Sequence, residues 1–132
     1  MKNYHNILIT GGAGFIGGNL IRRLLKTTKC SIHNIDKLGY ASDIESIQHL
    51  KESKARHVIH NINLNNYSSV CRAVEIANPD LIIHLAAETH VDRSLDGPKD
   101  FIESNISGTF NILQATLDHY RKLPINRKKI FK

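Results

Sequence analysis

Gly11, Gly14 and Gly17 are spaced G-x-x-G-x-x-G between an apolar run, Asn6-Ile7-Leu8-Ile9-Thr10, and a segment with apolar residues at helical spacing. At a strand-to-helix junction this spacing suits a dinucleotide. The first glycine allows a tight turn, the middle one lets a pyrophosphate approach the backbone, and the last lets the helix pack close to the sheet. The helix start then offers unpaired N–H groups and a partial positive charge to phosphate. A glycine-rich turn that only packs is the plainer alternative. No G-x-x-x-x-G-K-[ST] is present, which excludes a P-loop. Asp36 ends a second apolar run, about twenty residues after the glycines. A carboxylate there accepts hydrogen bonds from both hydroxyls of an adenosine ribose and repels a 2′-phosphate, which favours NAD over NADP. Lys37 works against that preference, because a neighbouring cation tolerates the phosphate, and a simple turn acid is the other role open to Asp36.

The elements that must hold these residues alternate in type. Asn6 to Thr10 reads as a buried strand, and Phe15 to Lys26 as a helix with Ile16, Leu20, Ile21, Leu24 and Leu25 on one side. Ser31 to Asp36 is a second strand. Ser42-Asp43-Ile44-Glu45 resembles a capping box opening a short helix through Leu50. His57 to His60 is a third strand, and Tyr67 to Ala77 a helix with Val70, Ala73, Val74 and Ala77 in a stripe. Leu81 to Ala86 is a fourth strand, followed by a long helix from about Lys99 to Tyr120 with Pro98 near its start. Lys129-Ile130-Phe131 is expected to open a fifth strand. The alternation predicts an α/β fold: a doubly wound, Rossmann-like parallel sheet, incomplete, with strand order 3-2-1-4 and strand four left as an exposed edge.

The 132 residues suit one domain. A net charge of +6 invites a nucleic-acid reading, but Arg121, Lys122, Arg127, Lys128, Lys129 and Lys132 crowd one end, as a solvated helix end and tail would. No RNP-type aromatic pattern or zinc-finger spacing accompanies them, so nucleic acid is not an expected partner. Two cysteines, Cys30 and Cys71, make neither a disulfide framework nor a metal site. His33, His60 and His84 share no ligand spacing, and no metal is expected. His90, Asp92 and Ser94 lie too close in sequence for a hydrolytic triad and lack a nucleophile elbow; Asp92 and Arg93 are expected to brace their loop. No apolar run reaches the ~18 residues of a membrane span, and the first residues lack a signal peptide's apolar stretch. A soluble cytoplasmic protein is expected.

The glycine spacing is similar to that of the extended short-chain dehydrogenase/reductase superfamily. Within it, the segment Leu85 to Pro98, LAAETHVDRSLDGP, resembles the LAAESHVDRS…GP wording of the dTDP-glucose 4,6-dehydratase family. Asp36 to Ala41, DKLGYA, is similar to that family's DKLTYAG, and Phe101 to Phe110, FIESNISGTF, to its FIETNxxGT. The resemblance runs over the whole chain. It implies a lyase in which a tightly held NAD takes a hydride from C4 of the sugar, water leaves across C5 and C6, and the hydride returns to C6. It also implies residue roles. Gly11, Gly14, Phe15, Ile16 and Gly17 match the pyrophosphate turn. Asp36, Lys37, Leu38 and Gly39 match the adenosine-ribose segment, with Gly39 in place of a usual Thr. Asn63-Leu64 is the best match to an Asp-Ile pair on adenine, and Asn61-Ile62 is the other register. Leu85, Ala86 and Ala87 match the strand end along the cofactor. Thr89 replaces a Ser reaching both cofactor and substrate, and Ser104 replaces a Thr beside the cofactor.

The superfamily's catalytic Tyr-x-x-x-Lys does not occur. Tyr4, Tyr40, Tyr67 and Tyr120 are followed four residues on by Leu8, Ile44, Cys71 and Pro124. The family's adjacent Asp-Glu pair is absent too. The resemblance therefore implies that residues 1–132 are the N-terminal NAD-binding portion, without the catalytic region and the C-terminal substrate domain, and inactive alone. The full-length enzyme is expected to take a dTDP-sugar and to be a homodimer. Another dehydratase or epimerase of UDP- or GDP-sugars and a non-catalytic NAD-binding module are the competing readings.

Overall fold

The computed structural model describes residues 4–39, 42–50, 53–89, 95 and 97–132. The elements are β1 (Asn6–Thr10), α1 (Phe15–Thr27), β2 (Ser31–Asp36), α2 (Glu45–Gln48), α3 (Ser53–Arg56), β3 (His57–Asn61), α4 (Tyr67–Ala77) and β4 (Leu81–His84). They are followed by α5 (Pro98–Ile102), a π-helical turn (Glu103–Ser107), α6 (Gly108–Lys122) and α7 (Ile125–Lys128). The strands are all parallel, in the expected order β3-β2-β1-β4.

The middle of β1, Ile7 to Ile9, is apolar because both its faces are covered. Ile7 and Ile9 pack with Ile21, Leu24 and Leu25 of α1 and with Ile47 of α2. Leu8 points the other way, into a cluster with Val70, Ala73, Val74 and Ala77 of α4 and Ile112 and Ala115 of α6. The strands end nearly level: Thr10 stands beside Ile35 and His84, and Asp36 beside Asn61. This levels the loops that follow β1, β2, β3 and β4 at one end of the sheet, where open α/β sheets bind ligands.

Several boundaries differ from expectation. Ser42 does not open a capping box. Helix α2 begins at Glu45, and the Asp43 carboxylate accepts from the Ser46 amide at 3.2 Å instead. Strand β4 stops at His84 rather than Ala86: the Leu85 amide is shared between the Thr10 carbonyl (3.1 Å) and the Thr10 hydroxyl oxygen (3.2 Å), and the Ala86 amide donates to that hydroxyl oxygen alone (3.2 Å). The long helix is interrupted by the π-helical turn. The fifth strand does not open at Lys129: Lys129 and Ile130 form a turn after α7, and the Phe131 ring packs near His119 and Tyr120. Sheet-type bonds begin only at Lys132, whose amide donates to the Asp80 carbonyl (3.1 Å) and whose carbonyl accepts from the Ile82 amide (2.9 Å). The start of β4 is therefore paired on that side, where a bare edge was expected.

Among the described residues no helix is long and apolar enough to cross a membrane, and no three His, Cys, Asp or Glu side chains gather as a metal would need.

Candidate functional site

A cleft of about 480 Å³ opens at the carboxyl ends of the strands. Its first wall is the glycine turn. Gly11 has φ +72°, and a Cβ there would stand 2.6 Å from the Ala86 nitrogen, so both backbone conformation and space demand glycine. A Cβ on Gly17 would stand 2.2 Å from the Gly11 carbonyl oxygen: α1 begins pressed against the turn. Gly14 differs. A Cβ there would meet only that same oxygen, at 3.3 Å, and would otherwise extend into the cleft that Gly14 lines. The vacant volume beside Gly14 lies at the start of α1, where a helix presents unpaired amides.

Strand β2 fixes this turn with two side chains. Buried Asn34 accepts from the Gly12 amide at 2.9 Å. Asp36 accepts from the Ala13 amide at 2.9 Å with one carboxylate oxygen and from the Leu38 amide at 2.8 Å with the other. Each oxygen keeps further lone-pair capacity for a diol. Leu38 takes φ 51°, an uncommon conformation for a non-glycine, and the Asp36 bond holds it there.

The opposite wall follows β4. With two amides donating to the Thr10 oxygen, its hydroxyl proton goes to His84 Nδ1 at 2.5 Å. His84 Nε2–H is then left to donate to the Thr109 hydroxyl at 3.0 Å. Burial lowers the His84 pKa, in keeping with a neutral ring that accepts at one nitrogen and donates at the other. Asn105, in the π-helical turn, grips Glu88 twice: its carbonyl accepts from the Glu88 amide (2.8 Å) and its amide donates to the Glu88 carbonyl (2.9 Å). The Glu88 carboxylate reaches Lys37 Nζ at 2.5 Å, joining the β4 wall to the β2 wall. Below, Asn111 donates to the Leu64 carbonyl at 2.8 Å and holds the loop after β3.

The cleft brings together all the sequence-predicted residues except Ile16, Gly17 and Leu38. Gly17 and Leu38 serve the backbone around it, and Ile16 is largely exposed on α1. Asn63 and Leu64 line the cleft; of the alternative pair, Ile62 does and Asn61 does not. Tyr40, Ala41, and His90 to Ser94, with the bracing role expected of Asp92 and Arg93, lie outside the described residues. Sequence reasoning missed Glu88, Asp100 and Phe101, which line the cleft, and Thr10, Asn34, His84 and Asn105, which position its walls. Glu88, Phe101 and Asn105 stood inside the family-like segments. The charged residues lining the cleft among those described are Asp36, Lys37, Glu88 and Asp100, so the cleft is acidic on a basic chain.

Known proteins resemble this chain in sequence and in fold. A family model described as GDP-mannose 4,6 dehydratase matches residues 8–131. The dTDP-glucose 4,6-dehydratase of Salmonella typhimurium is 42% identical over 96% of this chain and 35% of its own length. That of Neisseria gonorrhoeae is 36% identical over 96% of this chain and 36% of its own length. Among solved structures, a dTDP-glucose 4,6-dehydratase from Streptomyces venezuelae with NAD and TYD bound superimposes with a TM-score of 0.76 at 32% identity, covering 86% of this chain and 36% of that one. A UDP-Glc/GlcNAc 4-epimerase from Campylobacter jejuni gives a TM-score of 0.77 at 29% identity, covering 87% and 34%. The chain spans about a third of the length of the relatives it matches.

Proposed function

The chain belongs to the GDP-mannose 4,6 dehydratase family, and on that footing we propose that it is the NAD-binding portion of a sugar-nucleotide 4,6-dehydratase acting on dTDP-glucose. The observation that carries this reading is the single cleft on which the glycine turn, Asp36 and the LAAET segment converge. NAD supplies a hydride acceptor that is restored within each turnover. The residues present fit it. The start of α1, opened by Gly14, takes the pyrophosphate. Asp36, held by the Ala13 and Leu38 amides, takes the adenosine-ribose hydroxyls. Asn63 and Leu64 would hold the adenine, Leu85 to Ala87 would lie along the cofactor, and Thr89 and Ser104, which line the same cleft, would supply hydroxyls to it, Thr89 also to the substrate.

The LAAETHVDRS wording and the relatives favour dTDP-glucose over another nucleotide sugar. The likeness to a UDP-sugar epimerase shows that the cofactor fold serves either, so GDP- and UDP-sugars are the second reading. A second copy of the chain is proposed to cover the outward stripe of Ile106, Phe110, Leu113 and Leu117. Calorimetric titration tests the cofactor role: NAD is expected to bind saturably, and Asp36→Ala to weaken it at least about tenfold. An unaffected Asp36→Ala variant would contradict the assignment. With no Tyr-x-x-x-Lys, the 132-residue chain is expected to form no 4-keto-6-deoxy product from dTDP-glucose; product above a no-protein control would overturn that.

A further inference from the structure

Lys37 is the one cation lining the cleft among the described residues, and it follows the carboxylate that would meet the adenosine ribose. A free ammonium there would attract the 2′-phosphate of NADP, a group of charge about −1.5 to −2 at neutral pH. It is not free. Its nitrogen lies 2.5 Å from the Glu88 carboxylate. The two partners are unequal. The Glu88 side chain is 18% exposed and its backbone is gripped on both sides by Asn105, whereas Lys37 is 45% exposed on a flexible stem. Glu88 is thus the fixed member, and Lys37 is drawn to it. Arg22, near the glycine turn, is directed onto Ser46 and Asn19. Among the described residues lining the cleft, Asp36, Glu88 and Asp100 outnumber Lys37 three to one.

Resting on the cofactor reading above, we infer that Glu88 is a cofactor-specificity residue: by pairing with Lys37 it withholds that cation from a 2′-phosphate and so excludes NADP. Asp36 repels the phosphate, and Glu88 removes the group that would have offset that repulsion. The two acids act on opposite shores of the cleft, one after β2 and one after β4.

The test is the ratio of the dissociation constants for NADP and NAD, measured by calorimetry on the 132-residue chain and its variants. Glu88→Gln keeps the backbone bonds to Asn105 and removes only the charge. It is expected to narrow the preference for NAD about tenfold, the effect of an interaction worth about 1.4 kcal/mol. Adding Lys37→Met to Glu88→Gln is expected to restore the preference. Lys37→Met alone, which needs no change at Glu88, is expected to hold or widen it. An unchanged ratio in Glu88→Gln with NAD still bound would overturn the inference and leave the cofactor reading standing. A fall in the ratio on Lys37→Met alone would overturn it as well. Wild-type chain that binds neither dinucleotide would overturn both.

Discussion

Gly14 and Gly17 look alike in sequence, yet they meet different surroundings. Gly17→Ala drives a methyl against the Gly11 carbonyl and is expected to cost about 3 kcal/mol of stability through overpacking. Gly14→Ala meets one atom at 3.3 Å and is expected to leave the melting temperature nearly unchanged while weakening NAD binding. Parallel denaturation and calorimetry on the two variants separate these effects; equal destabilisation of both would show that Gly14 is a packing residue too. Gly11, Gly14, Gly17 and Asp36 were legible from their spacing around a strand-to-helix junction, although the contacts that fix Gly11 and Asp36 are with distant residues, Ala86 and Ala13. Asn34 was not legible. Its bond to the Gly12 amide joins β2 to the turn after β1, and a lone asparagine in an apolar run has no spacing pattern that marks such a role.

The element that most shapes the second wall is the π-helical turn between α5 and α6. Such turns place a side chain off the regular helical stripe and are frequent at functional sites. Here the turn carries Asn105 beneath Glu88. Asn105→Leu removes both bonds, leaves the Glu88 amide and carbonyl without their partner, and is expected to cost about 1–3 kcal/mol. It is also expected to speed hydrogen exchange at the Glu88 amide ahead of that at the β1 amides. Uniformly faster exchange would mean that Asn105 supports the whole fold rather than this wall. The helix itself was legible from its apolar spacing and Pro98. Its interruption was not, because the turn answers to contacts with the loop after β4 rather than to helix propensity. Strand β4 ended early for a similar reason: its last amides are claimed by Thr10, a tertiary partner. The doubly wound order, by contrast, followed from the strict alternation of strand and helix.

Across the whole molecule, histidines set the response to acid. Burial lowers the pKa of His33, His57, His60, His84 and His119, with His57 brought to about 4 by burial and then by the nearby His33. A depressed histidine binds its proton more readily in the unfolded chain. Stability is therefore fully present above the unfolded value of 6.5 and is lost as pH falls toward the folded pKa, by up to about 1.4 kcal/mol per pH unit for each group. Thermal melts are expected to hold steady above pH 7 and to fall between pH 6.5 and 4; a rising midpoint over that range would contradict the burial of these rings. Asp80 extends the trend. Burial pushes its carboxyl up, but the His5 and Asn6 amides and Arg127 outweigh it, so its contribution is lost below about pH 3.8. Arg127 shows why net charge was a poor guide to the chain's basic end: it donates to Asp80, Asn78 and Pro79, while Lys122 pairs with Glu75. Those partners lie more than forty residues away in sequence. The most direct test of the cofactor cleft is a two-dimensional amide NMR titration of the chain with NAD. The expected result is saturable shifts concentrated at residues 11–17, 36–39, 62–64, 85–89 and 104–105. Shifts that leave Gly14 and Asp36 unmoved while others saturate, or no shifts at all from a folded chain, would contradict it.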